Sequence, residues 1–131
     1  MKLRTEKETA IIEKIDGKDK AIFYVNLLTP KEQAKLVDQI LSTRGKRNQE
    51  TDSESLYKLK IARLDKTIFD WEGVEDMDGN PIECTRQNKE IIYNYNRDLI
   101  DEVLDEADRL SDVRNARKED ERKNLEAGQN G

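Results

Sequence analysis

The chain has 131 residues, enough for one domain, but only 34% are hydrophobic and 40% are charged, so a core can form in part of the chain and not everywhere. The net charge is −5 and unevenly placed: residues 1–100 carry 19 acids and 18 bases, residues 101–131 carry 10 and 6, a balance that argues against nucleic acid and anionic membrane surfaces as partners. With no histidine and a single cysteine, Cys84, imidazole-based catalysis, Ser/His/Asp and Cys/His nucleophile systems and an intramolecular disulfide are all excluded.

Residues 1–8 are polar, lack the apolar stretch of a signal peptide and read as a flexible N-terminus. The β-branched run Thr9–Ile15 reads as a strand, Asp16-Gly17-Lys18-Asp19 as a turn in which Gly17 takes positive φ, and Ala21–Val25 as the returning strand. Thr29-Pro30-Lys31-Glu32 is a strong helix start: Thr29 as N-cap, Pro30 at the first helical position, Glu32 closing a capping box. Ala34, Val37, Ile40 and Leu41 fall at helical spacing, and Gly45 is a natural stop, so a helix is expected over 30–43. The polar stretch 45–54 reads as a solvent-exposed loop.

Tyr57, Leu59 and Ile61 alternate with Lys58, Lys60 and Ala62, which predicts a half-buried strand. Ile68, Phe69 and Trp71 form a second apolar cluster, expected as another strand or as the continuation of the first. Trp71, the sole tryptophan, is expected to anchor a core, the alternative being an exposed partner-binding hot spot. Asp76-Met77-Asp78-Gly79-Asn80-Pro81 is a dense turn. A calcium loop with Gly79 at its sixth position requires acids at 74 and 85, where Val74 and Thr85 stand, so a surface β-turn held by Asp and Asn is expected instead. Thr85 is an N-cap. Ile91, Ile92, Tyr95, Leu99, Val103, Ala107 and Leu110 then repeat at three- and four-residue steps, predicting one long helix over 86–110 with a charged outer face that includes Lys89, Glu90 and Asp101. Beyond Ser111 the apolar signal fades and residues 111–131 read as an acidic, mixed-charge tail. No run is long and apolar enough to span a membrane, and the protein is expected to remain in the cytoplasm.

The expected fold is therefore α+β: a single domain over 9–110 in which a small antiparallel sheet is covered on one side by two amphipathic helices, followed by a charged tail. Cys84 has no activating partner in sequence and reads as an incidental, semi-buried thiol. The six glycines are isolated, so no phosphate loop exists, and no cofactor or metal is expected. Tyr57, Leu59, Ile61, Ile68, Trp71, Ile92, Tyr95 and Leu99 are the candidates for core or partner binding.

The order Ile68-Phe69-Asp70-Trp71-Glu72-Gly73-Val74, then Asp76-Met77-Asp78-Gly79-Asn80-Pro81-Ile82, then Thr85 opening a helix, with Lys123-Asn124 in a charged tail, resembles the small tail assembly chaperones of tailed bacteriophages. The start Leu28-Thr29-Pro30-Lys31-Glu32 fits the same group. This resemblance implies a non-enzymatic protein that acts in the host cytoplasm, binds the tape measure protein, helps recruit tail tube subunits and is absent from the finished virion. Self-association and a longer frameshifted product are compatible with it. The alternative expectation is a structural phage protein, such as a minor tail or head-tail joining component, retained in the particle.

Overall fold

The computed structural model describes residues 7–47 and 52–112. Its elements run β1 (Glu8–Asp16), β2 (Asp19–Leu27), α1 (Pro30–Arg47), α2 (Asp52–Thr67), β3 (Ile68–Glu72), α3 (Arg86–Tyr95) and α4 (97–112). This is the expected α+β arrangement, with a three-stranded antiparallel sheet in the order β1-β2-β3. The expectations for residues 1–6 and for the tail beyond residue 112 lie outside the described residues.

β1 and β2 pair over their whole lengths, from Glu8↔Leu27 to Asp16↔Asp19. The two-residue connection is tight enough to need Gly17 at φ 62. β2 pairs with β3 through Phe23↔Trp71 and Tyr24↔Asp70, with a bulge before Val25↔Ile68. At the bulge the Trp71 amide donates to Asp70 Oδ1 at 2.9 Å. The inner face of the sheet carries Ile12, Phe23, Val25, Leu27, Ile68 and Trp71, all buried. Trp71 is a core residue, 6% exposed. Its ring meets Phe23 edge-on, with centroids 6.3 Å apart, and its Nε1 donates to the Ile82 carbonyl at 2.7 Å.

Capping is where the sequence predicts it. The Glu32 amide donates to Thr29 Oγ1 at 3.2 Å and the Thr29 amide to Glu32 Oε1 at 3.3 Å, a complete capping box. Thr85 caps α3 by accepting from the Asn88 amide at 3.1 Å. Asp76 Oδ1 accepts from the amides of Asp78 and Asn80, both at 2.9 Å, and the Gly79 amide bonds the Asp76 carbonyl at 3.0 Å. The 76–81 segment is thus a surface turn.

Several expectations are corrected. Tyr57, Leu59 and Ile61 are not in a strand: residues 52–67 are helical. The segment is built from Leu, Lys, Ala, Arg and Glu, good helix formers with little β-branching, and Ile61 and Leu64, three apart, supply its core-facing side. Gly45 does not stop α1, which continues to Arg47. A lone glycine costs a helix only about 1 kcal/mol. Within the expected 45–54 loop, residues 45–47 belong to α1 and residues 52–54 to α2, and residues 48–51 lie outside the described residues. Among the described side chains of α1, Leu36 is buried while Ala34 and Val37 are exposed; the side chains of Ile40 and Leu41 lie outside those described.

The predicted long helix over 86–110 is two helices. α3 ends at Asn96 (φ −138, ψ 47), whose backbone amide and side-chain Nδ2 both bond the Ile92 carbonyl. The Asn96 carbonyl accepts from the Ile100 amide at 3.2 Å and starts α4. The break resets the phase, so that Ile100, Val103, Leu104, Ala107 and Ser111 face inward. Lys89, expected on the solvated face, is buried. Its Nζ donates to the carbonyl of Asp65 and to Asp65 Oδ1, both at 3.0 Å. Together with Asn26, which donates to the Lys66 carbonyl at 3.1 Å, it satisfies two of the C-terminal carbonyls of α2.

The elements covering the sheet are α2 and α4. Ile61 and Leu64 of α2 and Ile100, Val103, Leu104 and Ala107 of α4 form the core with the inner face of the strands. α1 packs on α2 instead. α3 contributes Ile92 and Tyr93 to the margin of the core. Charged contacts fix α4 laterally: Lys60 to Asp101 at 2.9 Å, Arg63 to Asp108, and Lys14 to Glu102 at 3.0 Å.

Candidate functional site

The feature best built for recognition is a groove where α1, α2 and the end of α4 meet. Its volume is about 400 Å³, and it is lined by Gln33, Leu36 and Val37 of α1, Leu56, Leu59, Lys60 and Arg63 of α2, and Asp108 and Asp112 of α4. The wall residues recur at three- and four-residue steps on both helices, as two helix faces must when they splay apart. α2 therefore has two working faces: Ile61 and Leu64 enter the core, and Leu56, Leu59 and Arg63 open outward onto α1.

The floor is apolar, with Leu36 buried and Leu59 half-buried. The rim is apolar as well: Leu56 is 66% and Val37 43% exposed. The charged members are Lys60, Arg63, Asp108 and Asp112; Arg63 pairs with Asp108, and Lys60 with Asp101 outside the groove. The Ser111 hydroxyl donates to the Leu28 carbonyl at 3.2 Å, pinning α4 under the start of α1. An open apolar trough flanked by charged side chains suits the i, i+3, i+4 side chains of an amphipathic helix. Among the described residues, no group of three or more acid or cysteine side chains converges as a metal site.

The sequence-predicted residues are dispersed. Ile61, Ile68 and Trp71 are core. Leu59 lines the groove. Ile92 and Leu99 pack at the core margin. Tyr57 belongs to a separate polar cluster that ties α2 to α3: its hydroxyl donates to Glu90 Oε1 at 2.9 Å and accepts from Asn94 Nδ2 at 2.8 Å, and its ring lies 6.4 Å from that of Tyr93. The Asn94 amide pulls the Tyr57 hydroxyl toward ionisation, but burial and the Glu90 carboxylate together hold its pKa above the ordinary value. Tyr95, beside the Asn96 break, is 85% exposed. Cys84 is half-buried, and burial pushes its thiol pKa up against an opposing pull from Lys89, with Asp70 and Asp65 adding to the rise. A thiol held protonated is a poor nucleophile.

Leu36, Leu56, Arg63 and Asp108 are groove residues that the sequence alone did not single out as a site. A signal for them exists, since Leu56, Leu59 and Arg63 are three and four apart. It becomes readable only once 52–67 is taken as helix.

A family model described as YdaY prophage protein matches residues 30–124. The chain belongs to the YdaY prophage protein family. Every groove residue of this YdaY-family chain falls inside the matched span, whereas the β1–β2 hairpin precedes it. The comparisons with curated proteins and with solved structures gave no match. No helix among the described residues is long and apolar enough to cross a membrane.

Proposed function

We propose that this prophage protein is a non-enzymatic tail assembly chaperone that binds the tape measure protein and aids assembly of the tail tube. The observation that carries the reading is the apolar groove between α1 and α2, open at Val37 and Leu56. A tape measure protein is helix-rich and aggregation-prone, and a groove of this kind shields the apolar face of such a helix. The motif order from Ile68 to Thr85 supports the same assignment, as does membership of a prophage family. The charged side chains of Lys60, Arg63 and Asp108 in its lining offer polar partners to such a helix.

The test is co-expression with the tape measure protein of the same prophage. The chain keeps that partner soluble and co-purifies with it. Val37→Glu and Leu56→Glu, at exposed rim positions, abolish co-purification while leaving the thermal melt unchanged. Absence of co-purification with the unaltered chain refutes the proposal. Mass spectrometry of purified particles separates it from a structural role, because a chaperone is missing from the finished virion.

A further inference from the structure

The sheet has a free edge whose surroundings specify what can add to it. β1 pairs with β2 along all nine residues, and among the described residues no further strand lies beyond it in the sheet order β1-β2-β3. From Thr9 to Ile15 its outward amides and carbonyls bond no other element among the described residues. An open edge of this length, about 24 Å at 3.4 Å per residue, is a template for strand addition. It is also sticky on its solvent face, where Ile11 is 62% and Ile15 70% exposed. Along this edge runs a depression of about 510 Å³ between residues 11–14 of β1 and α4.

Charge decides the occupant. The depression holds the acids Glu13, Glu102, Asp105 and Glu106 against the bases Lys14 and Arg109. Both bases are already committed, Lys14 to Glu102 at 3.0 Å and Arg109 to Glu106 at 2.6 Å. Glu13 is paired in turn with Lys20 of β2 at 3.2 Å, so four acids stand against three bases, a net charge of −1, and Asp105 is the acid of this lining without an ion pair among the described residues. A second copy of this chain fits badly. β1 itself carries Glu8, Glu13 and Asp16 against Lys14, so two such strands would set like charge against like beside two acidic helices.

We infer that the free edge of β1 takes up an extended, basic polypeptide segment as a fourth strand. The partner's backbone bonds the open amides and carbonyls of β1. Its apolar side chains cover Ile11 and Ile15, and its lysines or arginines reach Asp105 and its acidic neighbours. This surface is separate from the α1–α2 groove, and its strand precedes the family-matched span, so the two proposals fail independently.

Fluorescence anisotropy with the full chain and short synthetic probes tests it. A labelled peptide of alternating lysine and valine binds, and one of alternating glutamate and valine binds at least about tenfold more weakly. Methylating every backbone amide of the lysine–valine peptide keeps its charge, removes its strand-forming donors and weakens binding by a similar factor. The double variant Asp105→Lys and Glu106→Lys, checked for folding by circular dichroism, loses as much for the same peptide. Hydrogen exchange slows at those β1 amides that do not bond β2. Equal binding of the methylated peptide, or protection that maps to α1 and α2 instead, overturns the inference. So does a dimer in sedimentation that the peptide dissociates, because the edge would then belong to a second copy.

Discussion

Replacing Gly73 by alanine probes the tightest backbone approach at the β3 end of the sheet. Gly73 follows β3 at φ +75, and a Cβ built on it would lie 2.2 Å from the Lys20 carbonyl oxygen and 3.3 Å from its carbon. That is about 1.2 Å short of ordinary contact, and the obstacle is backbone of β2, which cannot rotate away. Gly17 and Gly79 provide internal controls: both have positive φ, at +62 and +85, with nothing within 4 Å of where an added methyl would lie. At those two positions alanine meets only left-handed strain, about 1–2 kcal/mol, offset by about 0.4–1 kcal/mol from a stiffer unfolded chain. The net cost there is on the order of 1 kcal/mol. At Gly73 the same two terms apply, and the chain must also separate the end of the β2–β3 ladder near Ile22↔Glu72. Losing about two hydrogen bonds at about 1 kcal/mol each, together with packing beside Trp71, brings the total to about 3–5 kcal/mol. At roughly 4 °C per kcal/mol for a domain of this size, Gly73→Ala melts about 12–20 °C lower. Gly17→Ala and Gly79→Ala each melt within about 6 °C of the parent. Thermal unfolding followed by far-ultraviolet circular dichroism reads all three. A Gly73→Ala midpoint within about 2 °C of that of Gly17→Ala would show that the close approach to Lys20 does not constrain the fold.

Trp71→Phe removes the bond to the Ile82 carbonyl and shrinks the ring that meets Phe23; urea unfolding monitored by circular dichroism should register a loss of about 2–4 kcal/mol, and less than about 1 kcal/mol would contradict a core role. Cys84, with its thiol pKa raised chiefly by burial, reacts with iodoacetamide at mildly alkaline pH several-fold more slowly in the folded chain than in urea; equal rates by mass spectrometry would mean the thiol is open. Asp76 has a lowered pKa, caused first by the Asn80 amide and further by that of Asp78. A carboxylate lowered by folding stabilises above its unfolded pKa and loses that contribution as pH falls through the folded value. The amide resonances of Asp78 and Asn80 should therefore hold steady down to the ordinary aspartate range and move together only below it; a midpoint at or above the ordinary value would contradict the bonding.

The parts of the fold legible in the sequence are those fixed by local chemistry. The hairpin around Gly17, the capping box at Thr29 and Glu32, the Asp76 turn and the Thr85 cap each depend on side chains within a few positions of the backbone they satisfy. The misread parts are those decided by what lies across the molecule. Tyr57, Leu59 and Ile61 alternate, but the alternation is the accidental overlay of two helical stripes, one entering the core through Ile61 and Leu64, the other opening onto α1 through Leu56, Leu59 and Arg63. A helix with apolar residues on two faces can show a period-two pattern over a short window, as residues 57, 59 and 61 do here. The Asn96 break was similarly hidden, because Ile92, Leu99 and Val103 keep a plausible helical spacing across it. The local warning was the low helix propensity of Asn94 and Asn96.

The strand-like look of 52–67 bears on function. A helix needs only one apolar face to fold against a sheet. α2 carries a second, and α1 buries only part of it, leaving Leu56 and Val37 in solvent at the mouth of the groove. Were α1 a complete cover, its apolar positions would sit opposite those of α2 and both rims would be closed. Instead, among the α1 side chains described, Leu36 is buried and Val37 beside it is exposed on the open side. The stripe that made 52–67 look like a strand is thus surplus to the fold. An apolar surface kept in excess of what the core uses, in a chain only 34% hydrophobic, lowers solubility. A partner helix seated in the groove, as proposed above, would remove that cost.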